Sequence, residues 1–412
     1  MFDCACYLSR KVAFFAAFVS VKACCLTHAQ DFTLRFAGST PFGVNGPLPF
    51  GKPLEINAGK GIKGGLGGGI NLQSTYNSNF FQSENDQEGE LSTEISPSIG
   101  YSTDPEGGAR VLITAGYSPT AKNYLNNTNL SGVDQSGYAS LVISGSRTVI
   151  SAYGGYVQQS GVDRFAGGFV TGSQLSFGVS GTYQLAPRTS VFANWAPSLV
   201  DYGQSSIIGF SNYSASVGGS WAATELFNFG PSLSYSTSSS DNTGERNSWG
   251  FSMQTSYKAA ETIQLAGSFG LQFSQDSRDS ESAKTNFTGS LSATYKINEL
   301  WSWSGSIQSG VVPSPTQTNY VINSWSVSSS LNRSLLIGSI GLGIDMAFSN
   351  FDQVGVAGAS QDAEQNTSAV LTYARPIFSD RLGFNTSISY TLNSGQKEWS
   401  QIQLNAGLNI GF

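Results

Sequence analysis

Ile263-Gln-Leu-Ala-Gly-Ser-Phe-Gly-Leu-Gln-Phe273 places its large apolar side chains at odd positions only. Side chains of an extended chain alternate across its plane, so a period of two over this length describes one apolar and one polar face. The same alternation recurs in Trp249-Gly-Phe-Ser-Met-Gln-Thr-Ser-Tyr257, Trp301-Ser-Trp-Ser-Gly-Ser-Ile307 and Leu291-Ser-Ala-Thr-Tyr295. Strands in soluble sandwiches average about five or six residues. These runs are roughly twice that, and about nine to eleven tilted residues is the length that crosses a bilayer.

Extended along the chain, this reading predicts strands near 66–78, 88–102, 108–119, 135–146, 147–158, 173–185, 189–202, 209–222, 226–238, 246–258, 262–275, 284–296, 300–312, 320–333, 335–349, 366–376, 381–393 and 398–412. The expected fold is all-β: a transmembrane, antiparallel, up-and-down barrel of about eighteen strands, with sixteen the main alternative. Links after even-numbered strands are short, as in Ala186-Pro-Arg-Thr189, Ala223 to Leu226, Ala259-Ala-Glu261 and Asn298-Glu299. Links after odd-numbered strands are longer and polar: Phe80 to Glu88, Pro119 to Gln135, Gln159 to Gly172, Asp276 to Lys284 and Ser349 to Asn366. Short periplasmic turns and long outer loops are the two ends of such a barrel, which puts both termini in the periplasm. The long loops at 119–135, 159–172 and 349–366 are candidates for folding inward to narrow the mouth.

The N-terminus reads as an address. Arg10 and Lys11 precede the apolar run Val12 to Val21, and Thr27-His28-Ala29 offers a cleavage site before Gln30. Residues 1–29 are therefore expected to be a signal peptide. Residues 30–65 carry the Pro/Gly-rich stretch from Phe36 to Phe50 and read as a periplasmic tail or a small plug. The barrel is expected over 66–412. Its last strand aligns Ile402, Leu404, Ala406, Leu408 and Ile410 with the terminal Phe412, a pattern similar to the assembly signal of outer-membrane proteins.

Removing residues 1–29 removes all four cysteines and the single histidine, so neither thiolate nor imidazole chemistry is open to the remainder. Lys plus Arg falls from 21 to 18 and Asp plus Glu from 27 to 26, moving the net charge from −6 to −8. An acidic chain without a basic block argues against nucleic acid. Charged residues make up 12%, about half the share usual in soluble domains, and no later stretch is apolar enough for a membrane helix. No enzyme activity and no cofactor are expected, since paired carboxylates such as Glu94 and Asp345 fall on strands distant in order.

Parity opposite to the apolar face predicts a lumen wall. It contains Ser302, Ser304, Ser306 and Gln308 on one strand and Ser324, Ser326, Ser328 and Ser330 on the next, with Asn385, Gln403 and Asn405 further on. Glu94, Arg110, Lys258, Lys296 and Asp345 are its charged members. Such a neutral wall predicts weak ion selectivity, and it shows no continuous inward aromatic track. Outward Tyr183, Trp221, Phe227, Tyr257, Tyr295, Trp301 and Phe412 cluster beside short turns, as an interfacial girdle would. Glu84, Asp86, Glu88 and Glu90 form a candidate Ca²⁺ loop that could bridge lipopolysaccharide phosphates, although their spacing matches no defined calcium loop. Gly64-Gly-Leu-Gly-Gly-Gly69 lacks the Lys and the helix that a phosphate loop needs.

Asn71-Leu-Gln-Ser-Thr-Tyr-Asn-Ser-Asn-Phe-Phe81, the acidic loop after it, and the Pro-containing Leu91-Ser-Thr-Glu-Ile-Ser-Pro-Ser-Ile-Gly-Tyr101 resemble the first hairpin of porin-2-like outer-membrane barrel families. The resemblance implies an outer-membrane location in a bacterium with two membranes and a pore, and members are linked to exopolysaccharide export. Expected function is thus a weakly selective pore for small polar solutes or an outer-membrane component of polysaccharide export. The alternative is a non-conducting structural or partner-binding barrel. Expected partners are outer-membrane lipid and lipopolysaccharide, the assembly machinery, and polysaccharide export components.

Overall fold

The computed structural model describes residues 54–57, 63–103, 110–163, 168–203, 209–240, 244–277, 279–313, 320–353, 360–379, 381–395 and 398–411. Within them run β1 (Leu54–Asn57), β2 (Lys63–Asn77), β3 (Glu90–Ser102), β4 (Val111–Tyr124), β5 (Gly132–Ser144), β6 (Thr148–Asp163), β7 (Gly168–Ala186), β8 (Thr189–Tyr202), β9 (Phe210–Ala222) and β10 (Phe227–Ser240). The remainder are β11 (Gly244–Ala260), β12 (Ile263–Asp276), β13 (Asp279–Lys296), β14 (Trp301–Pro313), β15 (Tyr320–Ser334), β16 (Ser339–Gln353), β17 (Ser360–Ser379), β18 (Leu382–Ser394) and β19 (Trp399–Gly411). Each of β2 to β18 pairs antiparallel with its successor, and β19 returns to β2 from Gln403↔Asn77 to Gly411↔Gly69. The wall is a closed barrel of eighteen strands, as the alternation predicts.

Because eighteen is even, β2 begins and β19 ends at the same end, beside the short turns. β1 lies outside this count. It pairs with β2 from Leu54↔Leu66 to Asn57↔Lys63, on the edge that β19 takes higher up. The sequence reading left these residues in a tail or a small plug; in the structure β1 forms a short hairpin arm at the rim, and β2 begins at Lys63. The rest of 30–65, residues 1–29 and Phe412 lie outside the described residues.

At the other end the strands outrun their predicted limits. β4 reaches Tyr124, β6 reaches Asp163, β13 begins at Asp279 and β17 at Ser360. Alternation is a signature of one wet and one oily face. Above the membrane both faces meet water, so the pattern vanishes from Ser360-Gln-Asp-Ala-Glu-Gln365 while the hydrogen-bond ladder continues.

One face carries the exposed large apolar side chains, including Trp249 at 64%, Phe287 and Leu233. An exposed apolar face around a closed wall is the hydrocarbon-facing side. Aromatics bound it above and below. On adjacent β10 and β11, the pair Phe227↔Tyr257 lies beside the short turns and Tyr235↔Trp249 eight residues away. Eight residues of strand tilted by about 40° cover roughly 20 Å of height, close to the apolar band of such barrels. Tyr183, Trp221, Tyr257 and Tyr295 of the expected girdle are exposed on this face, and Trp301 stacks under the Arg333 guanidinium at 5.1 Å.

The ladder between β3 and β4 is interrupted from Ile95↔Ala121 to Ile99↔Tyr117, where Pro97 and Pro119 face each other and neither has an N–H to give. Hydroxyls fill the gap: Ser118 Oγ donates to the Pro97 carbonyl at 3.0 Å, and Ser96 and Thr120 bond to each other at 2.8 Å. Elsewhere the wall closes over glycine. A Cβ at Gly230 would collide with the carbonyl of Gly219 on β9, whereas one at Gly132 would meet nothing. Gly230→Val is expected to lower the fraction of refolded barrel and Gly132→Val to leave it unchanged, read as heat-modifiable migration on gels; equal yields would refute this account of closure.

Candidate functional site

The face opposite the apolar one turns into the barrel. Its hydroxyls bond across neighbouring strands: Ser232 with Ser252 at 2.7 Å, Ser268 with Ser290 at 2.9 Å, and Ser304 and Ser306 with Ser330 and Ser328 at 2.7 Å each. Such pairs satisfy one another and leave a neutral, wettable surface. Ser302 and Gln308 stand on β14 opposite Lys296 and Ser290, and Ser326 opposite Gln308 on β15. Ser324 donates to the Gly310 carbonyl at 3.4 Å. Asn405 donates to Ser387 at 3.0 Å and accepts from Thr75 at 2.7 Å and Gln403 at 3.3 Å, joining the last strands to the first. Asn385 stands on the same face, opposite Gly407.

The charged positions divide by height. Lys258 and Lys296 sit at the short-turn ends of β11 and β13, and Arg110 is exposed just before β4. Asp345 is on β16 opposite Ser328. Glu94 joins a cluster that the sequence reading did not assemble: Lys122 on β4 lies 2.6 Å from Asp134 and 3.9 Å from Glu94. Lys122 and Asp134 had been placed in a loop. They belong to strands because β4 and β5 run on above the apolar pattern.

This cluster holds the β6–β7 hairpin. β6 parts from β5 after Gln158, and β7 joins β8 only from Gly172, so the tip leaves the wall. Lys122 Nζ donates to the Ser160 carbonyl at 3.1 Å, and Ser160 Oγ donates to Asp134 at 2.7 Å. Beyond it, Val162 and Phe169 pack with Phe80 and Phe81 of the β2–β3 loop, with Tyr124 at the end of β4 and with Leu130 of the β4–β5 connection. The Phe80 and Tyr124 rings are 5.2 Å apart and Tyr124 meets Phe169 edge-on at 5.8 Å. Three segments thus form an apolar cap over one side of the mouth. Of the three loops expected to narrow it, two contribute; 354–359 lies outside the described residues, and the 80–88 loop joins unforeseen.

The four acidic residues proposed for Ca²⁺ are not gathered. Glu84, Asp86 and Glu88 are exposed in the loop, while Glu90 is 1% exposed at the top of β3. No group of three metal-ligating side chains occurs among the described residues. Glu90 instead accepts the N–H groups of Leu125, Asn126 and Asn127 and the Asn127 side-chain amide, at 2.6 to 3.0 Å. The connection is held by this carboxylate together with Leu125 N–H to the Leu91 carbonyl at 3.0 Å, Asn126 Nδ2 to the Gly89 carbonyl at 2.9 Å and Tyr124 N–H to Ser131 Oγ at 3.0 Å.

The inward face also carries single aromatic rings, which do not join into a track. Tyr138 on β5 lies over Gly116, Tyr153 on β6 over Gly178 and Phe192 on β8 over Gly218, with ring atoms 2.5 to 2.6 Å from where a Cβ would stand. Each ring lies flat along the wall on a directly opposed glycine, covering backbone that would otherwise be bare. The signal was present as Tyr or Phe on polar parity, but it shows only when the opposing glycine is known.

No protein-family profile matches the chain, and no curated protein is similar to it. Several solved structures resemble it in shape at low identity. The chain is 10% identical to OpdK of Pseudomonas aeruginosa, solved with vanillate, at a TM-score of 0.49, covering 84% of this chain and 99% of that one. It is 13% identical to OccAB4 of Acinetobacter baumannii, at a TM-score of 0.47, covering 84% and 98%. Against the FrpB iron transporter of Neisseria meningitidis the values are 9% and 0.48, covering 80% of this chain and 61% of the transporter. The class the wall itself defines is the outer-membrane type of transmembrane β-barrel.

Burial pushes the Glu90 carboxyl up, but the bonds from Asn126, Asn127 and Leu125 outweigh it, so Glu90 titrates below the ordinary value of 4.5. A carboxyl lowered in the folded state stabilises it above the unfolded value and loses that contribution as pH falls through the folded one. Glu90→Gln turns an NH₂ toward these donors and is expected to cost about 1–3 kcal/mol. Its melting-temperature deficit should be constant above about pH 5.5 and shrink below about pH 4. A deficit unchanged down to about pH 3 would rule out the carboxylate as its source.

Proposed function

We propose that this chain is an outer-membrane channel passing small polar solutes, with its mouth narrowed from one side by the cap. One observation carries the reading. Phe80, Tyr124, Val162, Val170, Val200, Tyr202, Phe210, Ile322 and Trp399 are buried, and all lie at the long-loop end. Below this collar the inward face is mostly hydroxyl and amide, with the rings of Tyr138, Tyr153 and Phe192 laid on glycines. Eighteen strands enclose room for water unless something fills it. A wall mostly neutral, with charges of both signs at the Glu94–Lys122–Asp134 cluster, Asp345, Lys258 and Lys296, makes the passage weakly selective between ions of opposite sign.

In this reading residues 1–29 direct export, the long loops face outward, and Phe412 serves assembly. The first-hairpin resemblance favours a second role, as an outer-membrane component of exopolysaccharide export. A passive channel needs no such partner, which is how the two differ in a purified system.

Refolded residues 30–412 in a planar bilayer should conduct steadily, in proportion to bulk salt and with little difference between anions and cations. Removing one partner of a buried ion pair costs on the order of 3–5 kcal/mol. Lys122→Gln combined with Phe169→Asp should therefore release the tip and enlarge the conductance step. Larger steps on deleting residues 30–53 would place them in the lumen. Silence from the parent and both variants, with the barrels folded by heat-modifiable migration, would leave a structural or partner-dependent barrel.

A further inference from the structure

Inside the barrel, two of the inward rings share a block of four facing positions on β5 and β6. Tyr138 pairs with Gly155 and Ser140 with Tyr153, so the rings occupy one diagonal and two small residues the other. The rings splay apart, Tyr138 over Gly116 on β4 and Tyr153 over Gly178 on β7. Between them the floor is low. A Cβ at Gly155 would meet Ser176 Oγ at 3.5 Å and the Gly137 carbonyl oxygen at 3.7 Å, ordinary contact distances, so packing does not impose this glycine. The other half of the floor, Ser140, is bonded to the Thr114 hydroxyl at 2.6 Å. The rung through Tyr138 starts at Gly67, near the beginning of β2, and reaches Ser238 and Arg246 at the long-loop ends of β10 and β11. Rungs therefore climb as strand number rises, and a line that steps down one inward position per strand runs nearly level. Tyr138, Tyr153 and, two strands on and two positions lower, Phe192 stand on such a line. It is an arc of about 24 Å around the wall that falls by roughly 6 Å.

We propose that the hollow between Tyr138 and Tyr153 is a binding site for a pyranose ring of a saccharide. A pyranose carries C–H groups on its faces and hydroxyls around its rim. The negative face of an aromatic ring attracts such C–H groups, and serine and threonine hydroxyls both donate to and accept from a rim of hydroxyls. The wall offers the two in alternation. Along the arc stand Tyr138, Ser140, Tyr153, the bonded pair Ser151 and Ser180, and then Thr182 beside Phe192. A flat aromatic solute would stack on the rings and make no use of the hydroxyls. Because the rings run around the wall and not along it, they form a single station for one solute. The inference deepens the channel reading and rests on its water-filled lumen.

The test reads nuclear magnetic saturation transfer from refolded residues 30–412, in micelles of a detergent without a sugar headgroup, to maltotriose and to cellotriose. Transfer to the pyranose C–H protons is expected, saturating with sugar concentration. Tyr153→Leu should lower it roughly fivefold, the return of about one stacked ring. Gly155→Leu should lower it as far, by filling the hollow while both rings remain. Tyr156→Leu, next in the chain but exposed on the lipid-facing side, should leave it unchanged. Planar-bilayer conductance of the same preparation separates the two readings. A parent that conducts, yet transfers no more to either sugar than folded Gly155→Leu does, overturns the site and leaves the channel. A parent that transfers but is silent in the bilayer overturns conduction and leaves the site, and failure of both signals overturns both. Displacement of both sugars by equimolar adenosine would overturn the assignment to a saccharide.

Discussion

Every peptide group that enters hydrocarbon has to find its hydrogen bond inside the protein, because no water is there to supply one and each orphan costs several kcal/mol. A sheet meets that demand only by closing on itself. The return of β19 to β2 is therefore the contact on which the other strands depend. The places where closure is strained show the same rule at work. Facing Pro97 and Pro119 leave a gap in the ladder, and the neighbouring Ser118, Ser96 and Thr120 hydroxyls occupy it.

Closure separates two solvents, and the inside then answers to water. Its serines bond in pairs across strands rather than packing, and the inward rings of Tyr138, Tyr153 and Phe192 lie flat on glycines. Among the described residues, the cluster of buried apolar side chains that resembles a soluble core lies at the long-loop end. There three segments that share no ladder come together through Phe80, Tyr124, Val162 and Phe169, pinned by Lys122 and Asp134 beneath and by Glu90 beside them. The wall is held by its closed ladder, while the cap is held by a handful of side chains.

How much of this was legible in the sequence follows from distance along the chain. A two-residue period is local, so all eighteen wall strands were readable, and Thr189–Tyr202 was readable to its ends. Within the membrane the inward positions of Ser304 and Ser306 followed from parity alone. Beyond the membrane parity loses its meaning, and β4 and β6 were cut short there, hiding Lys122, Asp134 and Ser160 in what looked like loops. Glu90 was grouped with its neighbours in sequence as a cation ligand. Its real partners are the amides of residues 125–127, which nothing in the local pattern announces.

By itself, then, the sequence determined an all-β chain with strands of membrane-crossing length, about eighteen of them, which side chains face lipid, and the absence of cysteine and histidine beyond residue 29. These are consequences of alternation and composition, which need no knowledge of what lies opposite. Tertiary structure alone decided the register of each pair, the glycine beneath each inward ring, the cap over the mouth and the hollow over Gly155. Each of those is a contact between residues far apart in the chain, and such contacts exist only once the wall has closed and fixed which strands stand side by side.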